Sequence, residues 1–207
     1  MRLKLPNKSN IISLILGIVC ALGNDPWALW HLSVLSLIVW FWLIIKSKVP
    51  KNIFKKTFQF GFGYFAISLI WIVEPFLVEP WTHGWIAPIA LIVLPSFLAL
   101  IWALCAFLGH YYLSSIGIVI GLSLAEYCRL YLLTGFPWAT ISYVLLDTKA
   151  EKWLSLLGPY GLSLLLLLTC FTISFTLQIR TKINTLLASF TICTLFFVPL
   201  IFEKEPS

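Results

Sequence analysis

WIAPIALIVLPSFLALIWALCAFLGHYYLSSIGIVIGLSLA, Trp85 to Ala125, runs for 41 residues without a formal charge. A helix needs about 20 apolar residues to cross the hydrocarbon core of a bilayer. This one stretch is therefore long enough for two crossings. Its most polar part, from Gly109-His110 to Ser114-Ser115, is where the chain is expected to turn back.

The rest of the chain follows the same rule. Of 207 residues, 60% are hydrophobic and 11% charged, against about 45–50% and about 25% in a soluble domain. That excludes a compact water-soluble fold, and equally a disordered chain. Five further apolar runs flank the central one: Ile11–Leu22, Trp27–Ile45, Phe58–Val73, Leu154–Ile179 and Ile183–Phe202. Seven crossings would use about 140 residues, which leaves short loops only. The expected fold is an all-α polytopic membrane protein with about seven transmembrane helices, forming one domain over residues 1–207 with no soluble catalytic domain. The first run, behind Arg2, Lys4 and Lys8, looks like a signal peptide but lacks an A-x-A cleavage pattern. It reads better as half of a hairpin turning at Asn24-Asp25-Pro26. At 12 residues it is short for a span, so tilt, local thinning or flanking polar residues must extend it.

The net charge of +6 would suit a nucleic-acid binder, but its distribution does not. The cations cluster at residues 2–8, 46–56 and 180–182, between apolar runs, as they do in cytoplasmic loops. With the N-terminus inside and seven alternating crossings, the inner loops hold ten basic residues and the outer ones three, Lys149, Lys152 and Lys204. Asp25, Glu74, Glu79, Asp147, Glu151, Glu203 and Glu205 all fall outside. The expected orientation is thus N-terminus cytoplasmic and C-terminus periplasmic.

Two residues break the apolar pattern inside a span. Glu126 and Arg129 are three apart, on one helix face, and can pair. A charge at a helix centre costs about 2.5–3.5 kcal/mol on insertion scales, which pairing near the outer end reduces. The pair is either a structural tie or a contact for a lipid headgroup. Thr134-Gly135-Phe136-Pro137-Trp138 follows as a turn at the outer interface: Gly135 frees the backbone, Pro137 stops the helix, and Trp138 sits at headgroup depth. Trp71 and Glu74 with Trp81 and Trp85 form a second cluster, either an aromatic belt or an opening through which lipid reaches an outer site. Cys20, Cys105, Cys128, Cys170 and Cys193 all lie in apolar runs and read as buried thiols. His31, His83 and His110 share no ligand spacing, so no metal is expected. No G-x-S-x-G elbow or phosphate-binding glycine motif is present, and no cofactor is expected.

Read in order, several stretches resemble the membrane half of bacterial apolipoprotein N-acyltransferase: Phe60-Gly61-Phe62-Gly63-Tyr64-Phe65 with Trp71-Ile72; Leu124-Ala125-Glu126 with Arg129; Leu133-Thr134-Gly135-Phe136-Pro137-Trp138; Tyr143; and Gly158-Pro159-Tyr160-Gly161-Leu162-Ser163. The Thr-Gly-Phe-Pro-Trp core after an Ala-Glu-x-x-Arg helix is the most specific of these. The resemblance runs from about residue 11 to about residue 200. It implies a multi-pass protein of the bacterial inner membrane that takes an acyl chain from a phospholipid and transfers it to the N-terminal cysteine of a diacylated lipoprotein. It also implies what these residues lack. Family members continue into a periplasmic nitrilase-like domain, whose Glu-Lys-Cys triad forms a thioester acyl-enzyme, and then into a final span. Covalent transfer needs an activated thiolate with a nearby base, and a thiolate is disfavoured in apolar surroundings. No catalytic residue is therefore assigned here. Two function classes follow: an N-acyltransferase present only as its membrane domain and inactive alone, either a truncated gene product or one half of a split enzyme with a separate nitrilase-like subunit, or a non-enzymatic membrane module that binds lipid, lipoprotein or a partner subunit.

Overall fold

The computed structural model describes residues 8–47, 49–132 and 135–197. Among them every regular element is a helix. They are α1 (Lys8–Ala21), α2 (Trp30–Ile45), α3 (Pro50–Ser68), α4 (Pro80–His83), α5 (Ile86–Cys128), α6 (Trp153–Gln178) and α7 (Lys182–Phe196). Short 3-10 helices cover Ile70–Leu77, Ile141–Leu145 and Lys149–Lys152. Two helical segments are long and apolar enough to cross a membrane, Ile86–Cys128 and Lys149–Gln178, and a third is if Pro50–Ser68 and Ile70–Leu77, bent by 45°, count as one. α1, α2 and α7, at 14, 16 and 15 residues, are about 21–24 Å long at 1.5 Å per residue, less than a hydrocarbon core of about 30 Å.

The long central run does turn where its polar residues sit. Leu113 (φ −126°, ψ 15°) and Ser114 (φ 56°, ψ −148°) leave the helical region and split α5 into two limbs. The limbs pack with almost no side chain between them. A Cβ on Gly109 would collide with the Gly117 carbonyl, and one on Gly121 with the Cys105 carbonyl. Farther along, Trp102 reaches Glu126. Each step back along one limb is matched by a step forward along the other, the register of an antiparallel pair. Glycine permits this approach, the means by which helices in lipid gain packing contact.

Hydrogen bonds give the direction of the other helices. Cys170 Sγ meets the Val34 carbonyl at 3.9 Å, Ser174 Oγ the Ile38 carbonyl at 2.7 Å, and Gln178 Nε2 the Trp42 carbonyl at 2.9 Å, each across 136 residues. A constant offset means that α2 and α6 run parallel. α1 and α3 are parallel too: Gly17 lies against the Phe60 carbonyl, and Asn24 Nδ2 donates to Ser68 Oγ at 2.9 Å. α6 and α7 are antiparallel, with Trp153 on the Thr194 carbonyl at 3.1 Å at one end and Thr176 on the Asn184 carbonyl at 2.9 Å at the other. In the middle of the bundle Trp40 stacks on Phe60 (4.6 Å between ring centroids), and Trp102 lies beside Phe60, Tyr64 and Phe65.

Several expectations are corrected. The third helix begins at Pro50, not Phe58: proline presets φ at the first helical position, so Lys51, Lys55 and Lys56 occupy helical turns rather than a loop. It ends at Ser68, and the bend to Ile70–Leu77 falls where a straight run to Val73 was expected. The sixth run is interrupted at Gly158 (φ 65°, ψ 177°), followed by Pro159. The stretch from Leu133 to Trp153, expected as a loop, packs in part into the bundle: Ile141, Val144, Leu145 and Ala150 are fully buried, while Leu146, Asp147 and Lys149 are exposed. Of the cysteines, Cys20 and Cys170 are buried, Cys105 and Cys128 half-buried, and Cys193 exposed on α7.

Candidate functional site

Two buried formal charges meet at the end of α5. Arg129 Nη1 donates to Glu126 Oε1 at 2.7 Å, and the two residues are 2% and 1% exposed. Such a pair is supported in low dielectric by hydrogen bonds to its remaining polar atoms, and all but Arg129 Nε have one. Glu126 Oε1 also accepts from the Trp102 indole at 2.8 Å, and Oε2 from the Ile141 backbone N–H at 3.2 Å. Arg129 Nη2 donates to the carbonyls of Phe136 and Trp138. Its guanidinium carbon lies 4.9 Å from the centre of the Phe65 ring, within cation–π range.

Those bonds reach four elements. Trp102 comes from the first limb of α5, Glu126 and Arg129 from the end of the second, Phe65 from α3, and Ile141 from the 3-10 helix after the loop. The loop is shaped to receive them. Gly135 turns at φ 89°, a value that favours glycine, and donates to the Leu132 carbonyl at 3.0 Å. The Phe136 N–H returns to the Arg129 carbonyl at 3.0 Å, and Thr140 Oγ1 donates to the Pro137 carbonyl at 2.6 Å. Tyr64 extends the network to α1: its hydroxyl meets the Thr140 carbonyl at 3.4 Å and accepts from Asn24 at 3.3 Å. Tyr143 lies half-buried on the 3-10 helix, its backbone N–H on the Thr140 carbonyl. Thr134 lies outside the described residues.

The two expected clusters join at one contact. The Trp71 and Trp138 rings meet edge-on at 5.7 Å, with 43% and 55% of their surfaces exposed. Beside them opens a cleft of about 590 Å³, whose lining includes Asp25, Trp27, Ser68, Trp71 and Glu74. Trp81 and Trp85 stand apart, on and just after α4. Trp81 is almost wholly exposed, and the Trp85 indole donates to the nearby Thr82 carbonyl at 3.1 Å. Sequence reasoning missed Trp102, Tyr64 and Asn24 as members of the network. Trp102 is 24 residues from Glu126, and only the hairpin register of α5 brings them together.

The chemistry open to this arrangement is positional. A carboxylate and a guanidinium with their bonds turned inward hold a loop; they do not offer an acid or base to solvent. The open cleft beside them has an aromatic wall and two carboxylates.

Residues 16–172 match the family described as the apolipoprotein N-acyltransferase N-terminal domain. The chain belongs to this family. Apolipoprotein N-acyltransferase of Rhodopseudomonas palustris is 32% identical over 169 residues, covering 76% of this chain and 32% of that protein. The enzyme of Brucella suis is 30% identical over 166 residues (72% and 31%), and that of Sinorhizobium fredii 28% over 146 (64% and 28%). The chain therefore spans about a third of the length of the curated relatives it matches. The family region contains both limbs of α5, the ion pair, the loop it holds and most of α6.

Proposed function

We propose that these 207 residues form the membrane module of a lipoprotein N-acyltransferase, inactive alone, in the inner membrane of a bacterium. The module crosses seven times, with the N-terminus cytoplasmic. α1, α3, the second limb of α5 and α7 run outward; α2, the first limb of α5 and α6 run inward. The parallel and antiparallel pairings described above are those of an alternating bundle, and the ten-to-three division of cations between the loops and helix ends of its two faces sets its direction. The Glu126–Arg129 network then lies at the outer end. It fixes the loop that carries Phe136 and Trp138, and the Trp138 ring packs on Trp71, which lines the cleft where a phospholipid headgroup is received.

The observation that carries this reading is the buried pair tied to the Phe136 and Trp138 carbonyls, within a chain that matches the family over most of its length. The acyl-transfer chemistry comes from a nitrilase-like Glu-Lys-Cys domain outside these residues. Its thiolate attacks the phospholipid ester, forming a thioester and releasing the lysophospholipid, and the amine of the lipoprotein's N-terminal cysteine then attacks the thioester, forming an amide and returning the thiol. The membrane module supplies the donor's position and the seat for that domain.

The test joins the chain in frame to the nitrilase-like domain of a family member and measures triacylation of a diacylated lipoprotein by mass spectrometry in cells depleted of their own enzyme. Acylation by the fusion and none by the chain alone is the expected result. A hydroxylamine-sensitive acyl group on the chain alone, lost when one of its five cysteines is changed, would assign catalysis to that cysteine and overturn the reading. A fusion that reaches the membrane and binds phospholipid but never acylates would leave a lipid-binding module.

A further inference from the structure

At the end of the bundle away from the ion pair, α5, α6 and α7 enclose a groove of about 660 Å³. That is within the size range of small-molecule sites. Its walls are Ser114 at the α5 turn, Phe171 and Phe175 of α6, and Leu187 and Phe190 of α7. The threonine hydroxyls in the walls are engaged. Thr172 and Thr191 share a hydrogen bond at 2.9 Å, and Thr176 donates to the Asn184 carbonyl at 2.9 Å. Apart from Ser114 and Ser115 at the α5 turn, rings and methyl groups are what the groove presents.

Thr176 and Asn184 line the groove where α6 passes into α7, and the chain between them carries Arg180 and Lys182. These exposed cations line a second, shallower cleft of about 490 Å³ with Thr181, Thr185 and Leu186. Thr185 in the cleft directly follows Asn184 in the groove. The described carboxylates are elsewhere: Asp25, Glu74, Glu79, Asp147 and Glu151 lie in or beside the loops at the other end, and Glu126 is bound to Arg129. An apolar groove adjoining a hydroxyl-bearing cationic cleft matches an amphiphile with an anionic head and a hydrocarbon tail.

The geometry points to a binding site for one anionic phospholipid of the cytoplasmic leaflet, its phosphate in the Arg180–Lys182 cleft and one acyl chain in the groove between the α5 turn, α6 and α7. The site is separate from the outer cleft. It rests on the proposed orientation only in naming the leaflet.

The test uses the whole chain, purified in a neutral detergent and titrated with phosphatidylglycerol or phosphatidylcholine, with bound lipid counted by native mass spectrometry. One phosphatidylglycerol should be retained in preference to phosphatidylcholine. The double variant Arg180→Gln, Lys182→Gln should bind phosphatidylglycerol about tenfold more weakly, given the attraction of each cation near an anionic headgroup. Lys51→Gln, Lys55→Gln, with the same charge change on α3, should bind as the wild type does. Leu187→Trp, which fills the groove from an exposed position, should weaken both lipids. Equal loss in both double variants would show charge attraction without a site, and unchanged binding in Leu187→Trp would empty the groove of its role. If Leu187→Trp instead alters the oligomeric state with lipid binding intact, a second copy is the occupant and the proposal fails. Labelling of Lys182→Cys, in a background without native cysteines, by an impermeant reagent in intact cells would overturn the orientation while leaving the lipid measurements to decide the site.

Discussion

The Trp102 indole donates to Glu126 Oε1 at 2.8 Å and so links the two limbs of α5 at the level where Arg129 grips the loop that carries Phe136 and Trp138. One carboxylate oxygen thus accepts from a helix that does not carry the loop and from a guanidinium that does. The indole NH would otherwise be buried without a partner among Phe60, Tyr64 and Phe65. The bond satisfies both groups and sets the height of one limb against the other.

Trp102→Phe should therefore keep the ring stack and lose the bond. Glu126 Oε1 keeps its bond from Arg129, so the loss is that of one hydrogen bond to a charged group, about 1.5–3 kcal/mol, and a fall in the midpoint of thermal unfolding in detergent should report it. The same substitution made on Glu126→Gln should cost less than on the native carboxylate, because the charge that required the donor is gone. Equal losses in both backgrounds would detach Trp102 from the network.

For the ion pair, Glu126→Gln and Arg129→Met should each lower the accumulation of folded protein sharply, since breaking a buried pair costs about 3–5 kcal/mol. The double variant should accumulate better than either single one. Additive losses would mean that the two charges act independently, and would favour direct contact with a headgroup.

Glycine substitutions should separate collision from strain. A Cβ at Gly117 would strike the Gly109 carbonyl, whereas one at Gly158 meets nothing within 4 Å and has only its φ of 65° to overcome. Gly117→Ala should block folded accumulation. Gly158→Ala should cost about 1–3 kcal/mol, the penalty for a residue with a Cβ at φ 65°, ψ 177°, a region that glycine alone occupies readily, and leave folded protein to measure. A similar outcome for both would contradict the close packing of the α5 limbs.

Lipid access at the outer cleft should depend on the Trp71–Trp138 contact. In the fusion enzyme, Trp138→Ala and Trp71→Ala should each reduce lipoprotein acylation several-fold while accumulation holds, because both rings are partly exposed and support little of the core. Full activity in both variants would remove the cleft from the proposed route.

The sequence was informative where one residue type decides the local structure. The charge-free run ended in a hairpin because Ser114 lies between glycine-rich limbs, and Glu126 with Arg129 could be paired from their spacing alone. The Thr-Gly-Phe-Pro-Trp turn was legible from Gly135 and Pro137. What stayed hidden depends on register. Trp102 is one of ten tryptophans in runs with no polar periodicity, and its partner is set by how tightly Gly109, Gly117 and Gly121 let the limbs approach. Burial of Ile141, Val144 and Leu145 was hidden for another reason: a segment bounded by Asp147, Lys149 and Glu151 reads as a loop, yet the carboxylate of Glu126 draws its first residues into the bundle. The 45° bend after Ser68 had no marker, since Leu69-Ile70-Trp71 continues the apolar run without glycine or proline.

The measurement that most directly tests the module as a seven-crossing bundle with an outer cap is cysteine accessibility in intact cells, residue by residue, in a background without native cysteines. Asp25→Cys, Glu79→Cys and Lys149→Cys should react with a membrane-impermeant maleimide from the periplasmic side, whereas Ser47→Cys, Ser114→Cys and Thr181→Cys should react only after the inner membrane is opened. Periplasmic labelling at Ser114, or protection at Lys149, would contradict the account, because the α5 hairpin and the loop held by Arg129 would then not lie at opposite faces of the membrane.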